Sequence, residues 1–163
     1  MKNENIKKIV ISIFILLIIF LLDRISKILI LNILEETGRV DIYINSFLNF
    51  YLVWNKGIGF GLLSSEQEYF YNVVTIVIIL INLIIIYLLF KEKGIKFHFL
   101  LVILGGSLGN LFDRIYFRAV PDFIDLNYNG YHWFIFNVAD IFITLGIILL
   151  ILAELISYKK ANE

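Results

Sequence analysis

The chain has 163 residues, of which 60% are hydrophobic and only 17% charged, with a mean hydropathy of +0.88. Fourteen basic and fourteen acidic residues cancel, so the chain carries no basic field for nucleic acid. It has no cysteine, which excludes disulfides, a thiol nucleophile and cysteine-ligated metal; the composition excludes a disordered chain and argues against a water-soluble globule.

The first apolar run, Ile9 to Leu22, is 14 residues without a charge. At 1.5 Å per residue it reaches only about 21 Å, short of a bilayer core of about 30 Å. The helix is therefore expected to continue through Asp23, Arg24 and Lys27 to about Ile30. The run leads into Asp-Arg-Ile-Ser-Lys and not into a small-residue cleavage site, so it reads as a retained span and not as a signal peptide. Next comes a long connection. Val40, Ile42 and Ile44 alternate with Asp41, Tyr43 and Asn45, then Phe50, Leu52 and Trp54 with Tyr51 and Val53. That period predicts a small sheet over about 38–63, with Gly57, Gly59 and Gly61 marking a turning or close-packed backbone.

A second span is predicted over 70–90 and a third over 97–114. The third contains Gly105-Gly106-Ser107-Leu108-Gly109. This spells a serine-nucleophile motif, but in mid-helix and without a nearby histidine; helix packing through the Gly105/Gly109 pair is the better reading. An outer segment over about 115–133 carries the only proline, Pro121, which fixes φ and can steer the returning loop towards the bundle. The fourth span is expected over 134–156. His98 and His132 read as interfacial residues. The whole chain is expected to form one membrane-embedded domain of four helices with an outer β segment.

Eight basic residues flank one side of these spans, at the N-terminus, at Lys91, Lys93 and Lys96, and at the C-terminus; Arg39, Lys56 and Arg118 flank the other. Both termini are therefore expected to face the cytoplasm. On that topology Asp23, Asp113 and Asp140 fall in one layer, roughly 20–24 Å above the cytoplasmic edge. Helical spacing gives each a polar neighbour: Lys27 for Asp23, Asn110 for Asp113 and Arg114, Asn137 for Asp140. Charges at such depth demand partners or a function. The structural reading is a set of ion pairs, Asp23–Lys27 and Asp113–Arg114, that lock the helices together. Asp140 fits it less well. With Asp122 or Asp125 from the loop, acids outnumber bases, and two close carboxylates share a proton, a state suited to general acid/base attack by water on an amide. A transporter, for which the charges lie too far from the midplane, and a non-catalytic bundle are the competing classes.

Several motifs then match in order: Asp23 with Lys27; Asn55-Lys56-Gly57-Ile58-Gly59-Phe60; Gly105 to Arg114; Asp122-Phe123-Ile124-Asp125; and Phe136-Asn137-Val138-Ala139-Asp140. With four spans, they resemble lipoprotein signal peptidase (signal peptidase II), a family of bacterial membrane aspartic peptidases. The resemblance implies an Asp122/Asp140 catalytic dyad, where the residues alone do not choose between Asp122 and Asp125. It implies that Asn55, Gly57, Asn110, Arg114, Asn137 and Ala139 line or brace the substrate site, and that Asp23, Lys27 and Asp113 support it. It implies a lipid-modified prolipoprotein as substrate, cleaved before its lipidated cysteine, a cytoplasmic-membrane location among lipids, and no metal or cofactor. A monomer is expected, since four helices can enclose the charged layer. Two departures stand out. Pro121 replaces the aliphatic residue usual before the first catalytic Asp, and Ile58 and Gly59 replace small alanines.

Overall fold

A computed structural model describes residues 2–57 and 68–162. Ile58, Gly59, Phe60 and Gly61 lie outside the described residues, with the departures expected there. Helix α1 (Lys2–Thr37) is succeeded by strands β1 (Asp41–Asn45) and β2 (Leu48–Asn55). Helices α2 (Glu68–Lys91) and α3 (Ile95–Phe117) come next, then β3 (Val120–Tyr128), β4 (Tyr131–Phe136) and α4 (Val138–Ala161). All four helices are long and apolar enough to cross a membrane.

The bundle is built inside out relative to a soluble protein. On α1, Ile19, Asp23, Lys27 and Ile30 are buried at spacings of four, four and three, so one stripe faces inward. Ile18, Leu21, Leu22, Ile25, Ile28 and Leu29 are exposed, as expected of a helix whose solvent is lipid. Helix α3 is the hub: it packs on α1, α2 and α4. Small residues permit this. A Cβ on Gly105 would lie 3.1 Å from Ile19 Cβ, and one on Gly106 only 2.6 Å from the backbone oxygen of Ala139. The expected packing role of the glycine run is thus seen on two helix faces.

The sheet is larger than the sequence reading expects. Its order is β1-β2-β3-β4, all antiparallel, so the second outer segment supplies half of it. Residues 120–128 are a strand and not a loop, and because β4 runs to Phe136, the fourth helix starts at Val138 rather than 134. The overlooked signal is Asn129-Gly130, both at positive φ (49° and 80°), a pair that closes a tight hairpin whose twist matches its strands. Pro121 opposes Trp54 of β2, while the β4 register begins only at Ile124, opposite Phe136. Proline thus sits where β3 has one strand neighbour, and its missing N–H disrupts little. Val40, Phe123 and Ile30 form a small core with Phe50 and Leu52 packed on it, fastening the sheet to the end of α1.

Candidate active site

Two polar clusters meet at one end of the bundle. In the first, Lys27 Nζ lies 2.8 Å from Asp23 Oδ1, 2.6 Å from Asp113 Oδ2 and 2.9 Å from Asn110 Oδ1. Arg24 donates to both carboxylates, at 2.6 Å to Asp23 and 2.5 Å to Asp113, with its guanidinium 4.9 Å from the Phe112 ring centroid. Asp23 and Asp113 are fully buried and Lys27 is 1% exposed. Two cations matching two anions is the composition that makes such burial tolerable. Gly109 lets the cluster form, since a Cβ there would lie 2.7 Å from Asp23 Oδ2. The expected Asp23–Lys27 pair is present. The expected Asp113–Arg114 pair is not: successive residues on a helix point about 100° apart. Asp113 turns to α1, whereas Arg114 donates to the Gly57 carbonyl and lies 5.6 Å from the Tyr71 ring centroid. Arg24 and Tyr71, whose hydroxyl donates to the Arg114 carbonyl at 2.6 Å, are absent from the sequence-derived site. Arg24 was legible as a charge beside Asp23; nothing local marks Tyr71.

The second cluster holds Asp122 and Asp140. Asp122 comes from β3, Asp140 from the first turn of α4, and Asn137 stands between them as the helix N-cap. Its Oδ1 accepts from the Asp140 N–H at 3.2 Å, and its own N–H donates to Asp140 Oδ2 at 3.1 Å, closing a capping box. Because Oδ1 is committed to the cap, Nδ2 is the atom that reaches Asp122 Oδ1, at 2.6 Å. The same logic orients the other amides. Asn55 Oδ1 accepts from the Gly57 N–H at 2.7 Å, so its Nδ2 donates to Asp122 Oδ2 at 2.8 Å. Lys27 donates to Asn110 Oδ1, so Asn110 Nδ2 donates to Asp140 Oδ1 at 2.8 Å. The ion cluster thus reaches Asp140 through one amide. Ala139, fully buried, closes the contact by donating its N–H to Asp23 Oδ1 at 3.2 Å.

Of the two loop carboxylates, the structure brings Asp122 to this cluster. Asp125 is three residues on, so strand alternation turns it to the opposite face. There it accepts from Asn127 Nδ2 at 3.2 Å and lies 2.8 Å from His132 Nδ1. Burial pushes the Asp122 carboxyl up to about 7, and the charge of Asp140 adds to this, against the pull of the Asn55 and Asn137 bonds. One proton on an acid pair is therefore accessible near neutrality.

A family model described as Signal peptidase (SPase) II matches residues 15–156. This chain belongs to the signal peptidase II family. It is thereby a peptidase, and its four apolar helices make it a multi-pass membrane protein. The peptidase is 49% identical over 164 residues to a lipoprotein signal peptidase of Pelagibacter ubique (strain HTCC1062), covering all of this chain and 99% of the relative. It is 40% identical to that of Aquifex aeolicus (strain VF5), covering 82% of this chain and 79% of the relative. A solved structure described as a bacterial membrane enzyme, at 2.3 Å resolution, is similar with a TM-score of 0.75 and 30% identity, covering 91% of this chain and 90% of its own. The expected family and four-helix-plus-sheet architecture are both found.

Proposed function

We propose that the chain is an aspartic endopeptidase that removes the signal peptide from diacylglyceryl-modified prolipoproteins, cutting before the lipidated cysteine. The observation that carries this reading is the pair Asp122 and Asp140, both buried and both bonded to Asn137. The dyad holds one proton. The ionised carboxylate takes a proton from water while the protonated partner donates to the scissile carbonyl oxygen, giving a tetrahedral diol. The carboxyls then reverse roles: one returns a proton to the leaving nitrogen as the C–N bond breaks, and the other recovers its proton from the diol. Asn55, Asn110 and Asn137 hold the carboxyls through the step. Asp23, Arg24, Lys27 and Asp113 fix α1 against α3 beneath them.

The excess of basic residues at the two termini and in the α2–α3 turn supports a topology with both termini in the cytoplasm and the dyad near the outer face of the bacterial cytoplasmic membrane. That depth suits a cysteine anchored by a diacylglyceryl group. The chain acts as one domain and as a monomer. The test is a gel-shift assay with lipidated and unlipidated prolipoprotein, using wild type, Asp122→Asn and Asp140→Asn. Cleavage of the lipidated form only, lost in both folded variants, is expected. Turnover by either variant refutes the dyad, and an inactive wild type refutes the peptidase reading of this chain.

A further inference from the structure

Tyr71 belongs to neither polar cluster, yet three groups converge on it. It stands in the first turn of α2, is 5% exposed, and its hydroxyl donates to the backbone carbonyl of Arg114 at 2.6 Å. That carbonyl lies in the last turn of α3, where helix carbonyls run short of intrahelical donors. The Arg114 guanidinium is 5.6 Å from the Tyr71 ring centroid, and the Arg118 guanidinium is 5.5 Å from it. Arg118 in turn pairs with Glu68, three residues before Tyr71 on α2, at 2.6 Å. One ring thus ties the start of α2 to the end of α3 and carries two arginines.

Arg114 leads on to the dyad. Its Nη2 donates to the Gly57 carbonyl, while its buried Nε and Nη1 have no partner among the described residues. A single bond leaves a planar guanidinium free to swing about it, so the aromatic face is the second surface that fixes its plane. From Gly57 the contacts continue. The Gly57 N–H donates to Asn55 Oδ1 at 2.7 Å, which leaves Asn55 Nδ2 to donate to Asp122 Oδ2 at 2.8 Å. Were Gly57 to move, nothing in this chain of contacts would stop the amide turning its oxygen towards the carboxylate, acceptor against acceptor.

We propose that Tyr71 is a positioning residue for the dyad: its ring and hydroxyl seat Arg114, Arg114 holds the Gly57 carbonyl, and Gly57 orients the Asn55 amide that donates to Asp122. The inference rests on the peptidase reading above and adds to it a residue that acts through others. A role in packing alone is distinguishable by its effect on Asp122. The charges of Asp140, Lys27 and Arg114 act on Asp122, and its bonds from Asn55 and Asn137 favour the ionised form. Unseating Arg114 weakens the Asn55 bond and draws a positive charge away. Both changes favour the protonated carboxyl, so the pH above which activity is lost moves up. Loss of packing alone leaves that pH where it is.

The test is the pH profile of lipopeptide cleavage in detergent for wild type, Tyr71→Leu and Tyr71→Phe, with thermal unfolding of each. Leucine keeps much of the apolar volume but offers neither a π face nor a hydroxyl. Tyr71→Leu should lower kcat about tenfold, the worth of a desolvated cation–π contact, and move the alkaline limb up by about one unit. Tyr71→Phe keeps the ring over Arg114 and loses only the bond to its carbonyl. Its kcat should fall about threefold, with the limb displaced by about half a unit in the same direction. Because phenylalanine preserves the packing, this variant decides the question if Tyr71→Leu does not fold. An alkaline limb at the wild-type pH in either folded variant overturns the proposal, whatever the change in rate or melting temperature. A wild type that does not cleave refutes the peptidase reading instead; a wild type that cleaves beside variants with an unmoved limb refutes the positioning role alone.

Discussion

Asn137 does two jobs that substitution can separate. Its Oδ1 caps α4 and its Nδ2 donates to Asp122 Oδ1 at 2.6 Å. Asn137→Ser retains a capping oxygen but is too short to reach Asp122; Asn137→Ala removes both. Loss of a cap costs about 0.5–2 kcal/mol, and loss of a hydrogen bond to a charged group about 1.5–3 kcal/mol. Asn137→Ala should therefore lose roughly 2–5 kcal/mol, and Asn137→Ser only the lower part of that range. The Asn137 bond favours the ionised form of Asp122, opposing the burial that lifts its pKa to about 7. Removing it raises that value by about one to two units, at 1.36 kcal/mol per unit. Because the dyad needs its single proton, kcat/KM falls as pH rises through the Asp122 pKa. Wild type should lose activity above about pH 7. Asn137→Ser should hold its activity to a pH about one to two units higher, though at a lower maximum. The assay is the pH profile of lipopeptide cleavage in detergent, alongside denaturant unfolding. An alkaline limb that stays in place in Asn137→Ser, or equal stability loss in the two variants, refutes the reasoning.

Asp125→Asn should keep its turnover where Asp122→Asn loses it, because Asp125 serves His132 and not the dyad; loss in both variants contradicts that division. Lys27→Met leaves Asp23 and Asp113 with Arg24 alone, one buried negative charge in excess, at a cost of about 3–5 kcal/mol; the variant should unfold at markedly lower temperature, and wild-type stability would sink the account. Gly106→Ala places a methyl 2.6 Å from the Ala139 carbonyl oxygen, which only a backbone shift relieves. A loss of about 1–3 kcal/mol is expected, with reduced cleavage because Ala139 and Asp140 share the first turn of α4; unchanged melting would show that α3 and α4 yield more readily than their packing implies.

The sequence by itself determined a good deal. Run length and charge placement yielded four spans, since the bilayer sets a length that few soluble helices match. Helical spacing alone joined Asp23 to Lys27, a local contact within one turn. The Asn137–Asp140 spacing put the two on one helix face, but the capping box they form depended on β4 running to Phe136, which moves the helix start to Val138. Other features depended on contacts between residues far apart in the chain. Asp113 chose Arg24 and Lys27 over its neighbour Arg114 because α1 comes against α3 at Gly109. Asp122 was separated from Asp125 only when residues 120–128 paired with β2 and β4, because a strand sends alternate side chains to opposite faces and the pairing decides which face meets Asp140. Helix periodicity is written in neighbouring residues; the choice among buried charges depends on which surfaces the fold brings together.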